Sequence, residues 1–320
     1  MSQQFYASRD GFGEAIFACA QSNPNLIVLS ADLSDSLKLA QLKAVLPNQY
    51  LELGISEQNM AGVAAGLALT GKKVFITSFA VFNPGRNWEQ LRLSISEQNL
   101  DVVVVGSHAG LATGADGGTH QALEDLALAA LLPHFQVAVP ADYYQAKAMT
   151  HFLATHRGPA YLRLSRERSM CLTSPDQEFS WGKGQLLCFG EQGLIVACGL
   201  TVELALEAAR QLAVQGIKVS VFNCASFKPL PERQLLSLAE RVPAVITIEE
   251  HQLTFGLGST VASLLSRHHP LPMAMLGIDD QFGQSGSKDE LFAHYHLTVE
   301  HLKTQVQNLL GGLSGKKKLS

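Results

Sequence analysis

The sequence has few charged residues, few aromatic residues and only five cysteines in 320 positions. Charged side chains make up 16% of the chain and hydrophobic ones 47%, which indicates a compact globular protein and argues against disorder. The net charge of −4 gives no basic face, so we expect no nucleic acid partner. The cysteines are scattered without metal-ligand spacing, which favours reduced core residues over a disulfide framework.

Long apolar runs are also missing. No segment approaches the length needed to span a membrane, and the polar residues 1–10 lack an apolar signal region. We therefore expect a cytoplasmic protein with no membrane contact. A chain of 320 residues is too long for one ordinary core and suits two domains.

Apolar strands alternate with helices along the chain. In the first half the apolar runs lie at 26–29, 51–53, 74–78, 102–105, 136–139 and 160–162. Such runs separated by helices predict a parallel sheet covered on both faces. A second series of strands and helices begins near residue 194. We predict two tandem open α/β domains with mainly parallel sheets, at residues 1–168 and 185–320, joined by a linker at 169–184.

The stretch Gly54-Ile55-Ser56-Glu57-Gln58-Asn59 follows a short strand and opens a helix. Ser56 is expected to cap that helix, and Glu57 then lies in its first turn, where the helix dipole favours negative charge. Two interpretations of Glu57 stay open at this point. The carboxylate could simply stabilise the helix start, or it could face a ligand at the carboxyl edge of the sheet. The same five letters return at 95–99, where they close a predicted helix over 88–95, so Glu97 is expected to lie on the surface.

Three loops after predicted strands could carry chemistry. Residues 30–36 contain two aspartates and three serines, and could also be a solvated turn. Residues 78–86 place Phe79 and Phe82 one helical turn apart, which suits either core packing or a flat heterocycle. Residues 108–121 contain four glycines and two histidines, a composition typical of a functional loop. The histidine spacing favours acid–base or hydrogen-bonding roles over metal binding.

In combination these motifs resemble the pyrimidine-binding domain of transketolases. The resemblance rests on Gly54-Ile55-Ser56-Glu57-Gln58, on Thr77-Ser78-Phe79 to Phe82, and on Asp116-Gly117-Gly118-Thr119-His120-Gln121. Residues 190–300 resemble the C-terminal domain of the same family. The resemblance implies thiamine diphosphate, a cofactor that carries the difficult chemistry while protein groups tune it.

The family's cofactor residues can be matched to positions of this chain. Glu57 takes the place of the glutamate that hydrogen-bonds a pyrimidine ring nitrogen and so activates the aminopyrimidine. Phe82, with Phe79 close by, would wall the pyrimidine ring. Asp32 resembles an aspartate that lies near the cofactor.

The family's substrate residues are matched by His108, His120, Asp116, Arg9, Ser36 and Arg166. The two histidines correspond to residues that contact substrate oxygens and shuttle protons, and the aspartate to one that recognises a sugar hydroxyl. The arginines and the serine correspond to residues that hold the substrate phosphate, a task that suits guanidinium groups. The resemblance therefore implies phosphorylated sugar substrates.

The sequence departs from the family at three places. A third aromatic is usual near Gly85, and an acidic residue commonly stands where this chain has Ala115. The larger departure is that the Gly-Asp-Gly motif, which in this family holds the diphosphate through Mg²⁺ (or Ca²⁺), is absent from the sequence. We therefore expect a separate partner chain to hold the metal and the diphosphate, in an α2β2 heterotetramer. This chain itself is expected to have no metal ligands and to be inactive alone.

The leading hypothesis is ketol transfer between phosphorylated sugars, and three alternatives stay open. A related enzyme such as deoxyxylulose-phosphate synthase would share the cofactor. The beta subunits of two-oxoacid dehydrogenases share the architecture, but their loop histidine typically precedes Ser-Gln, unlike His120. The chain could also be a non-catalytic scaffold, although the combination of Glu57, His108, Asp116 and His120 would then be unexpected.

Overall fold

A computed structural model describes residues 4–317. The first half contains β1 (Phe5–Ala7), α1 (Ser8–Ser22), β2 (Leu26–Ser30), α2 (Ala40–Val45), β3 (Tyr50–Glu52), α3 (Glu57–Leu69), β4 (Lys73–Phe79), α4 (Trp88–Gln90), β5 (Val102–Ser107), α5 (Asp125–Leu131), β6 (Gln136–Ala138), α6 (Tyr143–Thr155), β7 (Ala160–Arg163) and β8 (Arg168–Met170). The second half contains β9 (Gln185–Glu191), β10 (Leu194–Ala197), α7 (Thr201–Val214), β11 (Val219–Asn223), β12 (Ser226–Lys228), α8 (Glu232–Ala239), β13 (Val245–Gln252), α9 (Leu257–His268), β14 (Met273–Ile278), α10 (Lys288–His294) and α11 (Val299–Lys317).

Two mainly parallel sheets organise these elements, which confirms the predicted fold class. The larger sheet has seven strands in the order β12-β6-β7-β5-β4-β2-β3, and its edge strand β12 runs antiparallel. The smaller sheet has five strands in the order β14-β13-β10-β11-β9, with β9 antiparallel. A two-stranded pairing of β1 with β8 stands apart from both.

The central strand β5 shows why unbroken apolar runs form this sheet. Side chains of a strand point alternately to its two faces, so a strand buried on both faces needs apolar residues throughout. Val102 and Val104 belong to one buried cluster, while Val103 and Val105 belong to the cluster on the opposite face. The β-branched run therefore fills two cores at once.

The two halves of the chain are joined through shared cores. One buried cluster contains Ile76 of β4 together with Val245 of β13 and Leu264 of α9. A second contains Leu111 and Leu123 of the first half among residues of the C-terminal sheet. Strand β12 also extends the N-terminal sheet by pairing with β6. The halves therefore pack as one body, although each has its own sheet.

Several elements lie outside the sequence-based expectation. Strand β8 extends into the stretch interpreted as a linker, and β9, β14, α10 and α11 are not among the predicted elements. The predicted helix over 88–95 is α4 followed by a π-helical stretch, Leu91–Ser96. Glu97 lies exposed at its end, as expected. Within residues 4–317, no helix is both long and apolar enough to cross a membrane.

Candidate active site

The candidate residues meet at the carboxyl edge of the seven-stranded sheet. Strand β2 leads into the loop of Asp32 and Ser36, β3 into Glu57, β4 into Phe79 and Phe82, β5 into His108, and β7 into Arg166. Because parallel strands end at the same edge, side chains far apart in sequence come together there. Arg9 reaches this edge from the first turn of α1.

Glu57 is a buried carboxylate at the first position of α3, with 2% of its side chain exposed. Arg86 Nη1 lies 2.8 Å from its Oε2, and Ser78 Oγ donates to its Oε1 at 3.4 Å. Asn87 Nδ2 donates to the main-chain carbonyl of Glu57 at 3.3 Å. Burial of an ionisable group is costly unless polar groups surround it, so this environment fixes the carboxylate in one place.

Ser56 does not cap α3, contrary to the expectation from the sequence. It precedes the first helical residue, but no side-chain cap hydrogen bond forms there. Its Oγ donates instead to the carbonyl of Leu53 at 2.7 Å. The Ser56 hydroxyl therefore stabilises the turn between β3 and α3 and makes no capping hydrogen bond to the first turn of the helix.

An aromatic wall stands beside the Glu57 carboxylate. The rings of Phe79 and Phe82 are nearly parallel, with centroids 6.4 Å apart. The imidazole of His108 stacks on Phe79 at 3.9 Å, and His120 meets Phe82 edge-on at 5.6 Å. The two phenylalanines thus lie in the site rather than in a closed core, since both are only partly buried.

His108 is held as a neutral imidazole. Ser107 Oγ lies 3.0 Å from its Nδ1 and Arg9 Nη1 lies 3.4 Å from its Nε2. An arginine can only donate, so Nε2 accepts and Nδ1 carries the hydrogen toward Ser107. Burial, followed by the charges of Arg9, Arg166 and His120, lowers the pKa of His108 to about 3.

The loop that carries His108 and His120 is supported by the C-terminal half of the chain. Glu250 Oε2 accepts the amide hydrogen of Ala112 at 3.2 Å. The Gln121 amide donates to the carbonyls of Gly114 at 3.1 Å and of Gln284 at 3.0 Å. The C-terminal half therefore fixes this loop through hydrogen bonds to Glu250 and Gln284.

Arg9 and Arg166 both contact the histidine loop, Arg9 at His108 and Arg166 at Asp116. Arg9 Nη1 donates to the main-chain carbonyl of Ser36 at 3.1 Å, so Ser36 contributes its carbonyl to this contact. Arg166 Nη1 lies 3.1 Å from Asp116 Oδ2, and both side chains are about one-third exposed. Asp32 is exposed and has φ 61°, and its amide donates to the carboxylate of Glu52 at 2.7 Å.

Sequence reasoning missed Arg86, Ser78 and Asn87, which surround Glu57. Each lies in or just after the loop of residues 78–86, and their spacing from the two phenylalanines was the available signal. Within the described part of the chain, no group of three or more histidine, cysteine, aspartate or glutamate side chains is arranged to hold a metal ion.

Family comparison divides the chain into two matched regions. Residues 5–170 match the transketolase pyrimidine-binding domain, and residues 182–302 match the transketolase C-terminal domain. The first region carries every residue of the site discussed above except the supporting residues Glu250 and Gln284, which lie in the second. The match therefore covers both the candidate site and its support.

Similar proteins include separate transketolase subunits. A chain of Methanocaldococcus jannaschii, provisionally named a transketolase C-terminal section, is 36% identical over 96% of this chain and 97% of its own length. A 6-deoxy-6-sulfo-D-fructose transketolase subunit of Clostridium sp. (strain MSTE9) is 35% identical over 92% of this chain and 91% of its own. One of the subunits of an apulose-4-phosphate transketolase, from Phocaeicola vulgatus, is 33% identical over 94% of this chain and 96% of its own.

Solved structures show the same likeness. A structure described as a split gene transketolase, inactive beta4 tetramer, superposes with a TM-score of 0.89 at 41% identity, and covers 95% of this chain and 98% of that one. The transketolase of Campylobacter jejuni superposes with a TM-score of 0.81 at 25% identity. The match covers 95% of this chain but 47% of that longer protein.

Proposed function

The chain belongs to the transketolase family, and we propose that it acts as a separate C-terminal section that, together with a partner chain, transfers a two-carbon ketol unit between phosphorylated sugars. The observation that carries the proposal is the buried carboxylate of Glu57 beside the Phe79 and Phe82 rings, with His108 and His120 packed against those rings. This is the set of groups that an aminopyrimidine cofactor and a sugar substrate require.

The residues present fit thiamine diphosphate, on which the family depends. The Glu57 carboxylate already accepts hydrogen bonds from a planar, nitrogen-rich group, the Arg86 guanidinium, which lies over the Phe82 ring. An aminopyrimidine is likewise planar and rich in nitrogen. When bound, thiamine diphosphate supplies the nucleophilic carbon and the electron sink for breaking a carbon–carbon bond beside a carbonyl.

Glu57 would act on the cofactor through one shared proton. Its carboxyl group would hydrogen-bond a pyrimidine ring nitrogen and so favour the tautomer whose exocyclic nitrogen can take up a proton. Phe82 and Phe79 would orient the ring by stacking. Ser78 and Asn87 keep Glu57 from turning away, since they bond its carboxylate and its carbonyl.

The substrate side carries positive charge and hydrogen-bonding groups. Arg9 and Arg166 stand beside His108, and their guanidinium groups suit a phosphate. His108 and His120 would contact the substrate oxygens and move protons between them. Asp116 would accept a hydrogen bond from a sugar hydroxyl, Ser36 would support the phosphate, and Asp32 would lie near the cofactor.

We infer that the diphosphate and its Mg²⁺ (or Ca²⁺) are held mainly by a separate chain, in an α2β2 assembly. Three similar proteins are named as subunits or as a split-gene product, which supports a two-chain enzyme. One of them was solved as a tetramer described as inactive. By analogy, this chain alone should not catalyse transfer.

The first test measures thiamine diphosphate binding with magnesium on this chain alone and on this chain co-expressed with the chain encoded beside it. A transfer assay with xylulose phosphate and ribose phosphate follows. We expect tight binding and transfer only in the mixture. Binding without transfer would point to another reaction of the cofactor, and tight binding by this chain alone would contradict the partner proposal.

A substitution then tests Glu57 directly. Glu57→Gln keeps the shape of the side chain but removes the carboxyl group that would share a proton with the cofactor. Activity of the complex should therefore fall by about two orders of magnitude or more while partner binding persists. Glu97→Gln is the matched control, since Glu97 lies exposed within the same five-letter word. Full activity of the Glu57→Gln complex would refute the central assignment.

A further inference from the structure

The guanidinium of Arg86 lies where the proposed function puts the aminopyrimidine. Its Nη1 is 2.8 Å from Glu57 Oε2, and its Cζ lies 4.3 Å from the centroid of the Phe82 ring. One side chain thus covers both the carboxylate and the aromatic face that the cofactor ring would use. Neither the family match nor the sequence motifs assign a role to this arginine.

The Arg86 side chain makes the contacts that an aminopyrimidine ring would make. A guanidinium is flat, carries several N–H donors in its plane, and stacks on aromatic faces. An aminopyrimidine presents the same combination of a flat face and in-plane nitrogens. Both groups cannot lie between Glu57 and Phe82 together, so one must leave when the other binds.

The backbone before Arg86 explains why Phe82 is open to it. The related enzymes usually have an aromatic residue near Gly85, but here a Cβ at that position would overlap the carbonyl oxygen of Val81. A side chain therefore cannot be placed at this position without moving the turn. Arg86, the next residue, covers the Phe82 ring instead.

Arg86 is the more exposed partner of the pair. Its side chain is 45% exposed, whereas that of Glu57 is 2% exposed. Glu57 also accepts a hydrogen bond from Ser78, and its main-chain carbonyl accepts one from Asn87, while the Arg86 side chain contacts Glu57 and Phe82. Because a buried carboxylate that loses its cation is destabilising, Arg86 should swing out to solvent only when another hydrogen-bond donor takes its place at Glu57.

We propose that Arg86 is a positioning residue that occupies the aminopyrimidine place in the cofactor-free subunit and swings out when the cofactor binds. The proposal rests on the proposed function. It gives the buried Glu57 carboxylate a partner before the cofactor arrives, which avoids an unpaired buried charge. The apparent affinity for the ring is then the intrinsic affinity multiplied by the fraction of time that Arg86 leaves the place free.

The test titrates the full chain alone with 4-amino-5-hydroxymethyl-2-methylpyrimidine, which needs no diphosphate site, and measures binding by calorimetry. We expect Arg86→Ala to bind this pyrimidine about tenfold more tightly than the wild type, and Arg86→Lys, which keeps the charge without the flat fork, to fall between them. Arg92→Gln is the control, since Arg92 is an exposed arginine of the π-helical stretch that follows α4. Thermal unfolding of each variant shows that it is folded.

Glu57→Gln separates this proposal from the function beneath it. If the wild type binds the pyrimidine and Glu57→Gln loses binding, but Arg86→Ala binds equally or more weakly, the proposed function survives and the Arg86 proposal is overturned. If neither the wild type nor Arg86→Ala binds at millimolar pyrimidine, the Arg86 proposal is overturned, and the proposed function then stands or falls on transfer by the complex. Tighter binding by Arg86→Ala that is abolished in the Arg86→Ala/Glu57→Gln double variant supports both.

Discussion

Single residues of the site differ in how firmly the fold holds them. Glu57 and His108 are 2% and 3% exposed, and each has polar partners on more than one side. Arg86, Arg166 and Asp116 are between one-third and one-half exposed and pair with one another or with a buried group. The buried groups set the geometry, and the exposed charges are the ones that a ligand can displace.

His108 should make the folded protein sensitive to acid. Its pKa is lowered from 6.5 to about 3 by burial and by the neighbouring Arg9, Arg166 and His120. Below pH 6.5 the unfolded chain takes up a proton that the folded chain excludes, so this group's contribution to stability is full above 6.5 and is lost as the pH falls toward 3. We expect it to cost about 1–2 kcal/mol of unfolding free energy at pH 5.

Denaturant unfolding of the wild type and of His108→Gln between pH 8 and pH 4 measures this contribution. The difference in unfolding free energy between the two should change below pH 6.5, because only the wild type has an imidazole that is protonated in the unfolded chain and kept neutral in the folded one. His268→Gln, at the exposed end of α9, controls for the loss of an imidazole. Parallel pH profiles for wild type and His108→Gln would show that His108 is not held neutral.

Among the elements, the loop of residues 108–121 depends most on distant parts of the chain. A Cβ on Gly118 would lie 2.5 Å from the carbonyl oxygen of Gly283, so the two segments touch backbone to backbone. Gln121 is 3% exposed, and its amide bridges Gly114 of the loop to Gln284. The unusual glycine content is thus explained in part by close packing against the C-terminal half.

Gln121→Leu should loosen this loop without unfolding the protein. The change removes two hydrogen bonds and leaves two carbonyl acceptors without their partner, which costs about 1–3 kcal/mol. In the proposed complex with a partner chain, the KM for the phosphorylated sugar should rise because the loop carries His108 and His120.

Denaturant unfolding measures the loss of stability, and steady-state kinetics of the complex measure the rise in KM. Gln98→Leu, at an exposed position, should change neither, and equal effects of both substitutions would contradict a supporting role for Gln121.

The predictability of these elements follows from how local their causes are. The strands β2, β4 and β5 and the convergence of their loops could be predicted, since continuous apolar runs specify buried parallel strands that end at one edge. The edge strand β9 is not among the predicted elements, because its apolar run at 186–189 is only half-buried and directly follows the aperiodic stretch interpreted as a linker. Nor could the support of the loop be predicted, because Ala112 and Glu250 are 138 residues apart and Gln121 and Gln284 are 163 apart. Arg86 follows a glycine in a turn, and its sequence position places it near the two phenylalanines without indicating its contact with Glu57.

In the whole molecule, the two sheets are tied together by a buried charge cluster. Arg163, at the end of β7, is 4% exposed, and its Nε lies 2.9 Å from Asp125 Oδ2. Its Nη2 donates to the carbonyl of Glu250 on β13 at 3.1 Å. Burial lowers the pKa of Arg163, but the carboxylates of Asp125 and Glu250 outweigh it, so the net shift is upward and the guanidinium stays charged.

Arg163→Met should therefore destabilise both halves at once. Removal of the guanidinium leaves the buried Asp125 without its cation, which typically costs about 3–5 kcal/mol. Because one hydrophobic cluster spans both halves, calorimetry should show a single transition that moves to lower temperature, rather than one half melting first. Arg157→Met is the control: Arg157 pairs with Asp101 on the surface with 88% of its side chain exposed, and its loss should cost less than about 1 kcal/mol.

The double variant Arg163→Met/Asp125→Asn should recover part of the lost stability, since it leaves no charge unpaired at this pair. Two separate transitions, or equal losses for Arg163→Met and Arg157→Met, would mean that the charge cluster does not couple the two sheets.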